Sequence, residues 1–150
     1  MFTFYEPGEL VDDDLQLVLA GTSEADAAKG FVPAYKFKMT NTGCDEEIGE
    51  IHLRVGSTHR LEMYGGHIGY RVVREHRGHG YAARSVKLIL PLARKHGLKS
   101  LWITCDPANI ASRRTCERAG AKLIEVVDLP IDIDLYARGH RQGCRYRLDL

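Results

Sequence analysis

The chain reads as an α/β (α+β) fold, a mixed central β-sheet flanked by helices in a single domain of 150 residues. Three observations carry that reading. Strand-type alternation is clean along Ile48 to Val55, and a helix-period apolar stripe runs through roughly Tyr81 to His96. Strand and helix patterns then alternate to the end of the chain. The length is that of one ordinary domain, and no repeat, low-complexity tract or linker marks a second over 1–150.

Taken in order, Phe2 to Tyr5 is expected as a short first strand. Residues 8–30 lean towards helix, although Gly21 and the polar stretch after it interrupt the pattern. Ala34 to Met39 alternates as a strand, and Asn41-Thr42-Gly43 reads as a turn. In the next strand Ile51, Leu53 and Val55 share one face, with Glu50, His52 and Arg54 on the other. Leu61 to Val73 is a further strand region broken at Gly65-Gly66. Its second half turns His67, Gly69, Arg71 and Val73 one way and Ile68, Tyr70 and Val72 the other.

The helix from about Tyr81 to His96 should bury Val86, Ile89, Leu90 and Ala93. Pro91 is expected to kink or break it, because the ring removes a donor and clashes one turn back. Gly97 is its expected C-cap. Ser100 to Thr104 is a buried strand, and Asn109 or a neighbour opens a helix that reaches Ala119 and stops at Gly120. Lys122 to Val127 and Cys144 to Leu148 form a closing strand pair.

Composition excludes several function classes. Hydrophobic residues make up 44%, charged residues 27%, and the net charge of +1 gives no reason to expect a nucleic-acid or membrane-surface binder. No run is long enough for a transmembrane span, and Glu6, Glu9 and Asp12 to Asp14 argue against a secretory signal. Cys44, Cys105, Cys116 and Cys144 show neither CxxC spacing nor histidines at zinc-ligand spacing. The expectation is reduced thiols in a cytoplasmic protein, with no metal site.

The most informative stretch is Val72-Val73-Arg74-Glu75-His76-Arg77-Gly78-His79-Gly80-Tyr81-Ala82-Ala83, where an apolar strand end enters a basic, glycine-punctuated turn and then a helix. That layout converges backbone N–H groups beside the positive end of a helix dipole, which is an anion site suited to phosphate. Gly78 to Ala83 formally matches the dinucleotide pattern G-x-G-x-x-A, but the motif sits mid-chain and no acidic residue follows at the required offset of about 20 positions. A Walker A ending is absent. An incidental turn is the plain alternative.

A second signal begins at Asn109: Asn109-Ile110-Ala111-Ser112-Arg113-Arg114-Thr115-Cys116-Glu117-Arg118-Ala119-Gly120. Together the two segments resemble the paired motifs of the GNAT family of N-acetyltransferases, R/Q-x-x-G-x-G/A followed by N-x-x-[A/S]-x-x-x-Y-E-x-x-G, in the family's order. The match covers about residues 48–127, and Gly65 to Tyr70 with Leu101 to Asp106 look most like a poorly characterised group of predicted bacterial acetyltransferases.

The resemblance implies the GNAT fold, acetyl-CoA as acyl donor, and direct attack by an amine on the thioester. It implies pyrophosphate contacts from Arg77, Gly78, His79, Gly80, Tyr81 and Ala82. Arg71, Val72 and Val73 would hold the pantetheine and acetyl carbonyl, with an oxyanion donor near Arg71, where the strand splays from the Leu101 strand. Asn109 and Ser112 would add cofactor contacts, although Asn109 also suits a helix cap and Ser112 a helix surface. His67 is the candidate general base, against a space-filling or hydrogen-bonding role, with Glu50 and His52 as alternatives.

Cys116 stands where the family pattern has a tyrosine acid, so it is either a weak proton donor or a small packing residue. Tyr5, Tyr35 and Tyr136 are other acids the sequence does not rank, and Ala121 replaces the aromatic usual after the glycine. The resemblance also implies that the short amino-terminal region helps wall the acceptor pocket. Arg113, Arg114 and the basic tail of Arg138, His140, Arg141, Arg145 and Arg147 read as solvated charge, with an acidic acceptor or the cofactor's 3′-phosphate as the functional alternatives. The acceptor would be a small-molecule or peptide amine, and a homodimer formed by strand pairing or tail exchange is compatible with the chain. A CoA-binding sensor or subunit with little turnover is the rival reading, and a nucleotide-binding protein using the same turn is a more distant one.

Overall fold

The computed structural model describes residues 2–44 and 46–150. Its strands are β1 (Leu10–Asp12), β2 (Leu15–Ser23), β3 (Ala34–Asn41), β4 (Glu47–Arg54), β5 (Ile68–Val72), β6 (Ser100–Cys105), β7 (Lys122–Asp128) and β8 (Gln142–Asp149). Its helices are α1 (Tyr81–Lys95), α2 (Ile110–Arg118) and the short α3 (Asp134–Ala137). The α/β class stands. The expected single mixed sheet, however, is two antiparallel sheets, β1-β2-β3-β4-β5 and β6-β8-β7.

The largest departure from expectation is at residues 8–30, which form β1 and β2 and no helix. Leu15 and Leu17 are 0% and 4% exposed at alternate positions, and β2 pairs with β3 along Leu15–Ser23. Burying each leucine is worth about 1.5–3 kcal/mol. Helix propensity differs by at most about 0.7 kcal/mol between ordinary residues, so packing decides. Phe2 to Tyr5 is not a strand either; Phe2, Phe4 and Tyr5 pack as side chains against the core, and the Tyr5 N–H donates to the buried Tyr35 hydroxyl (2.8 Å).

Leu61–Gly65 is a single turn of π-helix where a strand was expected. Gly66, with φ of 75°, then swings the chain onto β6. A Cβ there would stand 3.0 Å from the Trp102 carbonyl oxygen. α1 runs without a break through Pro91 because Lys87 and Pro91 lie on its exposed face, where water can satisfy the carbonyl the proline leaves unpaired. Its end is a Schellman motif: the Gly97 N–H donates to Arg94 and the Leu98 N–H to Ala93, with Gly97 at φ 81°. α1 packs on β1, β2, β4 and β5 and so carries the glycine turn to the end of β5. Among the described residues no helix is long and apolar enough to cross a membrane.

Candidate active site

The two sheets are bonded to each other through His67 and Trp102. The His67 N–H donates to the Trp102 carbonyl (2.7 Å), and the Trp102 N–H donates to His67 Nδ1 (2.9 Å). The imidazole thus takes the place of the next carbonyl in the ladder. Its Nε2 pairs with Ser57 Oγ at 3.0 Å, and the residue is 1% exposed, so burial drives its pKa down and the ring stays neutral. Both ring nitrogens are engaged and the ring does not line the cleft. The expectation that His67 is the base is therefore corrected: His67 clamps the splay point.

Beyond this clamp β5 and β6 diverge around a cleft of about 780 Å³, a volume suited to a cofactor-sized ligand. The paired edge of β5 can be read from two bonds, Arg54 N–H to His67 C=O and Val73 N–H to Ile48 C=O. Antiparallel alternation then turns the backbones of Gly69, Arg71 and Val73 towards β4 and leaves those of Ile68, Tyr70 and Val72 facing the cleft. The free donors are at Tyr70 and Val72, one residue either side of the Arg71 position expected. Arg71 lines the cleft, and its guanidinium pairs with Glu50 at 3.6 Å.

At the end of β5 the Arg77 guanidinium folds back and donates to the Val72 carbonyl (3.1 Å). Gly80, in the left-handed conformation, is the N-cap of α1 and no side chain caps the helix. The first main-chain bond of the helix is Arg84 N–H to Gly80 C=O. A Cβ at Gly78 or Gly80 would meet nothing within 4 Å, so a ligand can approach this backbone closely. Arg77, Gly78, Gly80, Tyr81, Ala82 and Arg114 line the cleft here. The turn is fixed from behind: the Tyr81 hydroxyl donates to Asp14 (2.8 Å), and Arg84 bonds Asp12 and Asp14 (2.7 Å each). Arg84 first, and Tyr81 with it, hold the Asp14 carboxyl below its ordinary range.

Asn109 and Ser112 also line the cleft, and Asn109 Oδ1 accepts from the Ser112 N–H (3.1 Å) as the cap of α2. Val73 and His79 do not line it; Val73 is spent on pairing with Ile48, and the His79 ring sits 5.5 Å from that of Tyr81. Cys116 is fully buried. The neighbouring Cys105 and burial push its thiol far up, and it does not line the cleft, so it has no path for handing a proton to a departing thiolate. Cys105 lines the cleft, and the neighbouring Cys116 brings its thiol down. All four cysteines are free.

The hydroxyl that does reach this place comes from across the cleft. Tyr70 Oη lies 2.6 Å from Ser112 Oγ, and burial raises the phenol well above its usual range. Tyr35 is buried on His96, Tyr5 packs under Lys95 and Tyr136 under Arg141, so none of the three serves. The facing wall is built by Tyr64, Asp106, Leu129, Leu135 and His140. No described residue before Arg54 contributes to it, which corrects the role expected of the amino-terminal segment. That segment is committed to strand pairing. Among the described residues no group of three His, Cys, Asp or Glu is placed to hold a metal.

The family model for an acetyltransferase (GNAT) domain matches residues 2–122. Comparison with curated proteins returns no match. Among solved structures, the chain is similar to a Vibrio cholerae protein assigned as a ribosomal-protein-serine acetyltransferase, at 18% identity over 97% of this chain and 100% of that one, TM-score 0.67. RimL, a ribosomal L7/L12 alpha-N-protein acetyltransferase in complex with coenzyme A, matches at 13% identity over 95% and 98%, TM-score 0.69. The microcin C7 self-immunity acetyltransferase MccE, in complex with acetyl-CoA and AMP, matches at 18% over 78% and 61%, TM-score 0.60.

Proposed function

Because the chain belongs to the GNAT acetyltransferase family, we propose that it acetylates an amine bound in the β5–β6 cleft. It is an acetyl-CoA-dependent acetyltransferase. The observation that carries the cofactor's placement is the open glycine cradle entering an uncapped α1 at the mouth of two splayed strands. Phosphate suits that cradle because the N–H groups and the helix dipole supply positive potential without a side chain in the way.

In this reading the N–H groups of residues 78–82 hold the pyrophosphate, with Arg77 and Arg114 adding charge. The outward edge of β5 at Tyr70 and Val72 binds the pantetheine arm and polarises the thioester carbonyl. Asn109 and Ser112 border the arm from α2. Tyr70 stands where it can return a proton to the departing thiolate. Its contribution is modest, since a thiol pKa near ~8.5 makes thiolate a fair leaving group unaided.

The acceptor class is tested with acetyl-CoA and an amine panel, read by thiol release and by the mass of the acetylated product. Short peptides with a free α-amine come first, because similar structures include enzymes named for ribosomal-protein acetylation. A polyamine, an amino acid and an aminoglycoside complete the panel. Transfer to at least one amine is expected. Tight acetyl-CoA binding with no transfer to any would favour a CoA-binding sensor instead.

A further inference from the structure

We infer that His140 is the general base of the transfer, oriented by Asp106, as a dyad on the acceptor wall of the cleft. The inference rests on the acetyl-transfer reading above and names a residue for one of its steps. His140 and Asp106 are far apart in sequence and meet because β8 pairs with β6, with Cys144 opposite Cys105. His140 Nδ1 lies 2.7 Å from Asp106 Oδ2. The carboxylate is itself fixed, because its Oδ1 accepts the Ala108 N–H (2.8 Å) and the Asp106 carbonyl accepts the Asn109 N–H (2.9 Å).

An ionised carboxylate only accepts, so it keeps the ring proton on Nδ1 and leaves the lone pair on Nε2. Among the described residues no protein group bonds that Nε2, and His140 lines the cleft with its side chain 42% exposed. The competing candidates are engaged or placed away from the acceptor wall. His67 has both nitrogens bonded, Glu50 is paired with Lys36 and Arg71, and the other cleft imidazole, His76, pairs with Glu46 (3.1 Å) beside the phosphate turn.

The step balances without a further reactant. The amine nitrogen attacks the thioester carbon, the C–N bond forms and the C–S bond breaks, and the sulfur leaves with the bonding pair as thiolate. The proton of the amine passes to His140 Nε2 and from there to solvent. Protonation of Nε2 removes the base, so the rate falls as pH falls. The titratable and charged groups that share the cleft include Asp106 and Cys105 at the end of β6, Arg54 of β4, Tyr64 of the π-turn, Tyr70 and Arg71 of β5, His76 and Arg77 before the glycine turn, and Arg114 and Arg118 of α2, with Arg138 and Arg141 on the same loop as His140. Asp106 is the one carboxylate among them, 2.7 Å from Nδ1.

The test measures thiol release from acetyl-CoA with water alone and with a short alanyl peptide as acceptor. His140→Gln is expected to lower kcat by at least ~100-fold, to leave the KM for acetyl-CoA unchanged, and to erase the acid limb of the pH–rate profile. Added imidazole should partly restore the rate of His140→Ala. Asp106→Asn should lower kcat less and displace the acid limb, as expected of a positioning residue. A His140→Gln enzyme with wild-type rate and profile, and intact acetyl-CoA binding, would overturn the dyad while leaving the acetyltransferase reading in place. Failure of the wild-type protein to bind acetyl-CoA would overturn that reading, and the dyad with it.

Discussion

Gly80→Glu should weaken acetyl-CoA binding by at least ~100-fold while the protein stays folded. A Cβ at this position meets nothing within 4 Å, so the new side chain enters the space where the pyrophosphate is proposed to sit. Like charges placed together at a binding site cost several kcal/mol, and each ~1.4 kcal/mol is tenfold in affinity. The backbone adds a smaller effect, because Gly80 has φ of 71°, a region that costs an L-residue roughly 1–2 kcal/mol. Gly80→Ala carries that strain without the charge. Titration of both variants separates the two: alanine should lose little affinity beyond the strain, and glutamate nearly all of it. Equal affinities for the two would mean that no anion binds here.

The second large effect is on stability. Gly49 sits in β4 opposite Val72. A Cβ there would overlap the Arg71 carbonyl oxygen and stand 2.9 Å from the Val72 Cα, both backbone atoms. β5 must move for any side chain to fit, and β5 is the strand whose outer edge faces the cleft. Overpacking of this kind costs about 1–3 kcal/mol, occasionally more. At about 2–4 °C per kcal/mol for a domain of this size, Gly49→Val should lower the melting temperature by roughly 2–12 °C. Acetyl-CoA affinity should fall with it. Gly69, on β5, is the contrast: a Cβ there reaches only the guanidinium of Arg54 at 3.6 Å. Gly69→Ala should stay within about 0.5 kcal/mol of the parent. Comparable melting temperatures for the two variants would show that the β4–β5 contact is not tight.

What could be read from the sequence follows the range of the interactions involved. α1, its glycine end at Gly97, the Asn109 cap and the glycine turn before α1 depend on neighbours within a turn or two, and each was legible. β1 and β2 were not, because Leu15 and Leu17 declare a strand only once β3 lies beside them. His67 stood out as a histidine at a strand position, yet its orientation is set by Trp102, 35 residues on. Tyr70 meets Ser112 at a separation of 42 residues, and Asp106 meets His140 at 34. Gly49 carried no signal of its own; its constraint is the backbone of the neighbouring strand.

The central claim is that acetyl-CoA occupies the cleft at the glycine turn. Calorimetric titration of the wild-type protein with acetyl-CoA, run beside CoA, ATP and NAD, tests it most directly. Saturable binding of acetyl-CoA and CoA, with ATP and NAD much weaker, is the predicted result. No binding of either acetyl-CoA or CoA would contradict it and leave the motif as no more than a turn.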